Sequence, residues 1–319
     1  MINKIKAGLK LMAGKIPAGS DLQVFPDDAF LIAFPKSGNT WTRFLVGNLI
    51  YSDRKVDFLN IPQLIPHFDV MPKGFFAKMP RPRILNCHEP FRPHYRRVIY
   101  VVRDPRDVVV SLFHFQRKRR IIEDNYSLDK FVSRFVAGDT PRPARLGSWE
   151  QNVTSWLAMR QNDPQFLLLR YEDMLRETGP ALVKIANLLG IDATPERIEK
   201  AVARSSANEM RNLEKAQGAE WHQSKGTRQD IPFVRAAQSG GWKTALSRNA
   251  VAEIESAWGA LMGELGYERV TQALPTSQPD QCRSDRVGAW GSFGLGGYGH
   301  RSFERQPAIH FSANSTSTL

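Results

Sequence analysis

Four short apolar runs, Phe30 to Phe34, Arg83 to Cys87, Val98 to Val102 and Phe166 to Leu169, are spaced so that helical patterns fall between most of them. Runs of this length and composition predict strands buried in a sheet. After the first run, Trp41, Phe44, Leu45, Asn48 and Leu49 trace one face of a helix. After the third, Asp104-Pro105 sets an N-cap residue before a proline at the first helical position. Ser148 and Gln151 have the spacing of a capping box, Thr194-Pro195 opens a further helix, and Ser247 to Leu265 reads as a long amphipathic one. Strands alternating with helices predict an α/β fold, a single domain whose mainly parallel sheet is flanked by helices. In such sheets ligands bind beyond the carboxyl ends of the strands.

Those ends hold the polar residues of interest. The first strand runs into "AFPKSGNT", which follows the phosphate-loop pattern G-x-x-x-x-G-K-[ST] with Ala33 at the first glycine, Gly38 at the second and Thr40 at the hydroxyl position. Asn39 occupies the usual lysine position and Lys36 stands earlier, so the loop is P-loop-like rather than a match. A strand feeding a helix N-terminus offers backbone N–H groups and a positive dipole end to a phosphate. No convincing carboxylate for Mg²⁺ follows another strand, which weighs against an ATP/Mg²⁺ phosphoryl-transfer enzyme.

The second strand ends in "ILNCHEP" and places His88 on the same edge, where an imidazole has the pKa of a general base toward a hydroxyl. The alternative is a structural histidine bonded to a neighbouring carbonyl. Cys87 points to the other face and reads as core. In "VIYVVRDPRDVVVSLFHF" the third strand leads to Arg103 and then, in a capped helix, Ser111. Arginine holds phosphate through two parallel hydrogen bonds, although an ion pair with Asp104 or Asp107 is the alternative. The run Arg117, Lys118, Arg119, Arg120 reads as a solvated face.

Lys plus Arg number 44 against 32 Asp plus Glu, a net charge of +12 that favours anionic ligands. No nucleic-acid motif with interleaved aromatics accompanies that charge. The two cysteines, Cys87 and Cys282, are too few for a disulfide framework or a cysteine zinc site, so a reducing, cytoplasmic setting fits. Residues 1–20 interrupt every apolar run with lysine and predict an amphipathic helix, either packed on its own domain or in peripheral contact with anionic membrane. Residues 21–270 form the domain, and 271–319, rich in Gly, Ser, Gln and Pro, read as a disordered tail.

Taken together, "FPKSGNTW", "RDPRDVVVS", "GSWEQNVTSWL", "LRYEDM" and "FVRAAQSGGWK" resemble the cytosolic sulfotransferase family in this order, over most of Phe30 to Tyr267. The resemblance implies transfer of a sulfuryl group from 3′-phosphoadenosine 5′-phosphosulfate to a hydroxyl or amine of a small-molecule acceptor, with adenosine 3′,5′-bisphosphate as product and no metal. It assigns Lys36 to the bridging oxygen of the donor and Ser37, Gly38, Asn39 and Thr40 to the 5′-phosphate. Trp41, Tyr171 and Ser205 fall on the adenine side. Arg103, Ser111 and Arg235 hold the 3′-phosphate, and His88 is the base. A second copy of the chain is a candidate partner.

Three positions depart from the family pattern. Asn86 stands where a lysine is usual, Ala236-Ala237 where Lys-Gly is common, and Ala207 where an aromatic is often found. Asn86 and Ala236-Ala237 leave open a nucleotide-binding protein without transfer activity, against which the retention of Lys36 and His88 argues, and Ala207 weakens the adenine sandwich that the resemblance implies. The expected acceptor pocket is hydrophobic, lined by the segments around Phe58 to Phe76 and Phe113 to Tyr126, whose aromatics serve equally well as core.

Overall fold

The computed structural model describes residues 18–19, 22–140 and 146–271. The predicted helix over 1–20 and the predicted tail from 271 onward therefore lie, but for residues 18, 19 and 271, outside the described residues.

Four strands, β1 (Ala29–Ala33), β2 (Ile84–Cys87), β3 (Arg97–Val102) and β4 (Phe166–Arg170), form a wholly parallel sheet in the order β2-β1-β3-β4. Each lies within a residue or so of its predicted run. Ala29 of β1 pairs with Ile84 on one side and Arg97 on the other, and Val98 of β3 pairs with Phe166. Successive side chains alternate between faces. Phe30 and Ile32 of β1, Leu85 and Cys87 of β2, and Val98, Tyr100 and Val102 of β3 enter one core. Leu31, Ala33, Ile99 and Val101 enter the other. Both faces are covered, as a parallel sheet requires.

On the second face lie α1 (Asn39–Ile50), the short α2 (Ile61–Leu64) that follows it, and, later in the chain, Tyr171–Arg176, Thr178–Leu189, Pro195–Arg204 and Ala207–Gln217. The first face takes the short α3 (Lys73–Ala77), α4 (Pro105–Lys118), α5 (Leu128–Val136), α6 (Trp149–Arg160) and, after α7 to α10 as just given, α12 (Arg248–Glu264), with α11 (Trp242–Ala245) leading into it. The predicted caps form. Asp104, Thr194 and Ser247 each accept a backbone N–H in the first turn of α4, α9 and α12, and Ser148 with Gln151 closes the capping box of α6. The apolar face predicted for α1 understates its burial. Thr42, Arg43, Val46 and Gly47 are buried too, because α9 and the segment around Val56 cover the side away from the sheet.

Of the aromatics in the two segments expected to line an acceptor pocket, Phe115 does line the cavity at the carboxyl edge, together with His67 and Val70 of the first segment, whereas four others are core. Phe58, Phe68, Phe76 and Phe113 are buried because they close the two layers against the sheet. At the amino edge, Arg83, just before β2, donates to Asp28, just before β1, at 2.8 and 2.5 Å. It also donates to the carbonyls of Phe76 and Gln23. A buried pair broken on one side leaves an uncompensated charge. Asp28→Ala is expected to lower stability by about 3–5 kcal/mol in urea unfolding. A loss below about 1 kcal/mol would show that the two carbonyls alone satisfy Arg83.

Candidate active site

All four strands end on one edge, and the sequence-predicted residues follow those ends. After β1 the chain turns through Phe34, Pro35, Lys36, Ser37 and Gly38 into α1. Lys36 and Gly38 both adopt positive φ, 71° and 99°. The turn is held by Ser37 N donating to Phe34 O at 3.1 Å and by Thr42 N donating to Gly38 O at 3.0 Å. Gly38 has a second reason to be glycine, since a Cβ there would collide with the Tyr171 ring.

Arg103, after β3, points back across this loop. Its Nη1 donates to Lys36 O at 3.3 Å and its Nη2 to Gln238 O at 3.0 Å. The guanidinium lies 4.4 Å from the Tyr171 ring centroid and 3.7 Å from Asp107. Of the two ion-pair partners considered, Asp107 is thus the one met, while Asp104 pairs with Arg106.

Lys36 sits between two aromatic rings, its Nζ 4.2 Å from the Phe115 centroid and 4.5 Å from that of Phe233. Burial pushes its ammonium down to about 7, and the Arg103 and Arg235 charges push in the same direction. Arg235 is likewise lowered, by burial first and then by Arg103. Cations from three separate segments converge here, an arrangement that an anion would relieve. Asn39 Nδ2 and Arg103 Nε, on residues that line the cavity, are buried with no hydrogen-bond partner among the described residues, so donors for such an anion are already in place. The site fits a nucleotide phosphate.

One cavity of about 700 Å³ is lined by Lys36, Gly38, Asn39, Thr40, Trp41, His88, Arg103, Ser111, Tyr171, Ser205 and Arg235, so it gathers every predicted site residue except Ser37, which is buried beneath the loop. His88 Nδ1 is 2.6 Å from Ala33 O. A carbonyl only accepts, so this nitrogen carries the hydrogen and Nε2 holds the lone pair of the neutral ring. Base and structural partner are therefore compatible readings of one histidine. Trp41 Nε1 donates to Ser205 O at 3.0 Å, and its ring stands edge-on to Tyr171. The Ser205 hydroxyl accepts from Asn48 Nδ2 at 3.1 Å and is buried, so its carbonyl orients Trp41. Asn86 is buried and donates to Asn39 Oδ1 at 2.6 Å, which ties β2 to the phosphate loop.

The contacts that hold Arg235 in place are ones the sequence does not announce. Phe233 and Arg235 belong to a late loop pinned from two sides. Glu214 accepts from Phe233 N and Val234 N at 2.5 and 2.8 Å, and Lys118 Nζ donates to Arg228 O and Ile231 O at 2.9 and 2.8 Å. Asp107 accepts from Gly240 N and Trp242 N at 2.7 and 3.0 Å. The basic run at 117–120 is thus not uniformly solvated. Arg119 and Arg120 are exposed, but the helical turn carries Lys118 inward, where burial lowers its pKa. His67, beside His88, is another lining residue that the sequence reading does not single out.

A parallel sheet with a phosphate loop after an inner strand and convergent cations on its carboxyl edge defines a nucleotide-binding α/β enzyme. The description "Sulfotransferase domain" matches residues 26–266. Sulfotransferase 1A1 of the dog, Canis lupus familiaris, is 29% identical over 255 residues, covering 75% of this chain and 84% of that one. Among solved structures, mouse sulfotransferase SULT7A1 complexed with PAP superposes with a TM-score of 0.63 at 23% identity, over 78% of this chain and 90% of that one. Retinol dehydratase in a complex with retinol and PAP gives a TM-score of 0.63 at 20% identity, over 79% and 85%. The chain belongs to the sulfotransferase family and is an enzyme of its 3′-phosphoadenosine 5′-phosphosulfate-dependent class. Among the described residues, no helix is long and apolar enough to cross a membrane.

Gly38→Ala is expected to weaken adenosine 3′,5′-bisphosphate binding at least tenfold by calorimetry, because it disturbs both the left-handed turn and Tyr171. Lys36 also makes binding pH-dependent. Near pH 8 a lysine titrating at about 7 is mostly neutral, and bound phosphate favours its charged form. Binding is expected to take up close to one proton there and none well below pH 7, where Lys36 is already charged. Calorimetry in buffers of different ionisation heat measures this, and Lys36→Met should abolish the uptake.

Proposed function

We propose that this chain transfers a sulfuryl group from 3′-phosphoadenosine 5′-phosphosulfate to a hydroxyl or amine of a small-molecule acceptor, through a domain spanning residues 21–270. The observation that carries the proposal is the convergence of Lys36, His88 and Arg103 from three strand ends on one cavity. The bound donor supplies an activated sulfuryl group on a leaving nucleotide. That mouse SULT7A1 and retinol dehydratase were solved with PAP supports this choice of ligand.

Lys36 stabilises the negative charge that develops on the leaving side as the bond to sulfur breaks. Ser37, Gly38, Asn39 and Thr40 hold the 5′-phosphate at the N-terminus of α1, where unpaired N–H groups and the helix dipole favour an anion. Arg103, Ser111 and Arg235 hold the 3′-phosphate. Trp41, Tyr171 and Ser205 shape the adenine side. His88 Nε2 takes the acceptor proton, and the Nδ1 bond to Ala33 fixes the ring for that task.

Thermal shift assays in EDTA with adenosine 3′,5′-bisphosphate, beside ATP with and without Mg²⁺, test the donor assignment. A native-state ligand at ~100 times its Kd adds about 2.7 kcal/mol, well within detection. Stabilisation by the bisphosphate is expected. Stabilisation only by ATP with Mg²⁺ would move the protein to phosphoryl transfer. Lys36→Ala and His88→Ala should each lower turnover by at least about a hundredfold with the fold intact. Near-normal turnover of His88→Ala would remove the base.

A further inference from the structure

The late loop from Phe233 to Gln238 takes its shape from α10. Arg211 and Glu214 stand three residues apart on that helix, so both project from one face. Glu214 accepts from the N–H groups of Phe233 and Val234, and Arg211 takes the stretch that follows. Its Nη2 donates to Arg235 O at 3.2 Å and to Ala236 O at 3.1 Å, while Nη1 donates to Asn208 Oδ1 at 3.3 Å. A carboxylate thus holds two donors of the loop, and a guanidinium holds the next two acceptors.

Those two bonds fix the direction of two other groups. In a trans peptide the C=O of one residue and the N–H of the next lie in one plane and point opposite ways. Arg235 O and Ala236 O turn toward Arg211, so the N–H groups of Ala236 and Ala237 turn away from it. Ala236 and Ala237 line the cavity and Arg211 does not, which puts the guanidinium behind the loop and the two N–H groups on the cavity side. Neither N–H meets an acceptor among the described residues. Ala237 has φ 51°, in the left-handed region, which belongs to the backbone conformation where successive N–H groups make an anion-binding concavity. A residue with a Cβ is strained there and stays only where its surroundings hold it. The Arg211 charge also polarises the two peptide groups, which strengthens their N–H groups as donors.

We infer that Arg211, from behind the loop, is a positioning residue of the nucleotide site, and that it aims the Ala236 and Ala237 N–H groups at the 3′-phosphate. The inference rests on the reading that the loop carrying Arg235 holds that phosphate. It also gives the departures at 236 and 237 a physical account. The lysine common at 236 is absent, and an alanine takes a left-handed turn at the position where glycine is common. The loop therefore has one cation fewer and a strained residue. Arg211 answers both from α10, bringing a positive charge to the back of the loop and fixing the carbonyls on the amino side of Ala237.

Calorimetry on the full chain with adenosine 3′,5′-bisphosphate and with adenosine 5′-phosphate tests this. The wild-type chain should prefer the bisphosphate. R211M should weaken bisphosphate binding about tenfold or more and leave 5′-phosphate binding unchanged, because only the 3′-phosphate meets the aimed N–H groups. R211K should recover most of the loss, since a single nitrogen makes both bonds to the loop. Full bisphosphate affinity in R211M, or an equal loss on both nucleotides, overturns the role of Arg211. Amide proton–nitrogen spectra of the wild-type chain test the aim of the N–H groups without any substitution. The Ala236 and Ala237 amide protons should move downfield with the bisphosphate and not with the 5′-phosphate, and no shift, or equal shifts with both, overturns the inference. A wild-type chain that binds the two nucleotides equally would instead overturn the assignment of the 3′-phosphate to this loop, so the two failures are distinct.

Discussion

The turn from β1 into α1 is the constraint on which the rest of the site depends. β1 is an inner strand, hydrogen-bonded to β2 on one side and β3 on the other, with its side chains buried on both faces. Its carboxyl end opens where the chain order of the sheet reverses, with β2 to one side and β3 to the other. Ligands of open α/β sheets bind at such a switch point. Holding Lys36 at positive φ is unfavourable for a side chain with a Cβ, by about 1–2 kcal/mol. The compensation is local, in the Ser37 to Phe34 bond, and distant, in the bond from Arg103 to Lys36 O.

Electrostatics then sets what the site accepts. Lys36, Arg103 and Arg235 come from segments far apart in the chain, and the surrounding structure holds them close without matching each to a carboxylate of its own. Asp107 approaches Arg103 but spends its hydrogen bonds on Gly240 and Trp242, holding the late loop rather than neutralising the site. Phe115 and Phe233 meet the Lys36 ammonium with ring faces, which attract it less than a carboxylate would. The result is a largely apolar depression with a cluster of cations at one side.

Much of this was legible in the sequence, for physical reasons that differ by element. Strand runs such as Phe30 to Phe34 declare themselves because a parallel strand is apolar on both faces. The caps at Asp104, Ser148, Thr194 and Ser247 declare themselves because one side chain satisfies one backbone N–H a fixed distance ahead. Phosphate-loop residues follow from their place between strand and helix. The reading failed where long-range packing decides. Helices α5 and α10 carry no cap signal as plain as Thr194-Pro195, although Ser127 and Ser206 do cap them. Lys118 looks like one more surface cation until the late loop folds over it, and the place of His67 is fixed by a single bridge to Asn86, a pairing too short to leave a pattern. Most aromatics in the segments assigned to an acceptor pocket are apolar enough to belong anywhere in the interior, and the two layers claimed Phe58, Phe68, Phe76 and Phe113, while Phe115 stayed on the cavity.

Arg103 donates to Lys36 O, 67 residues before it, and to Gln238 O, 135 residues after it, and so joins segments far apart in the chain. One guanidinium ties the loop after β1 to the late loop around Gln238. A designer wishing to replace the 3′-phosphate by some other group could not simply exchange this arginine. The replacement would also have to rebuild two backbone contacts, or the turn that carries Lys36 would lose its support. On the proposed assignment, donor choice and the placing of Lys36 rest on the same side chain, so a change at Arg103 alters both.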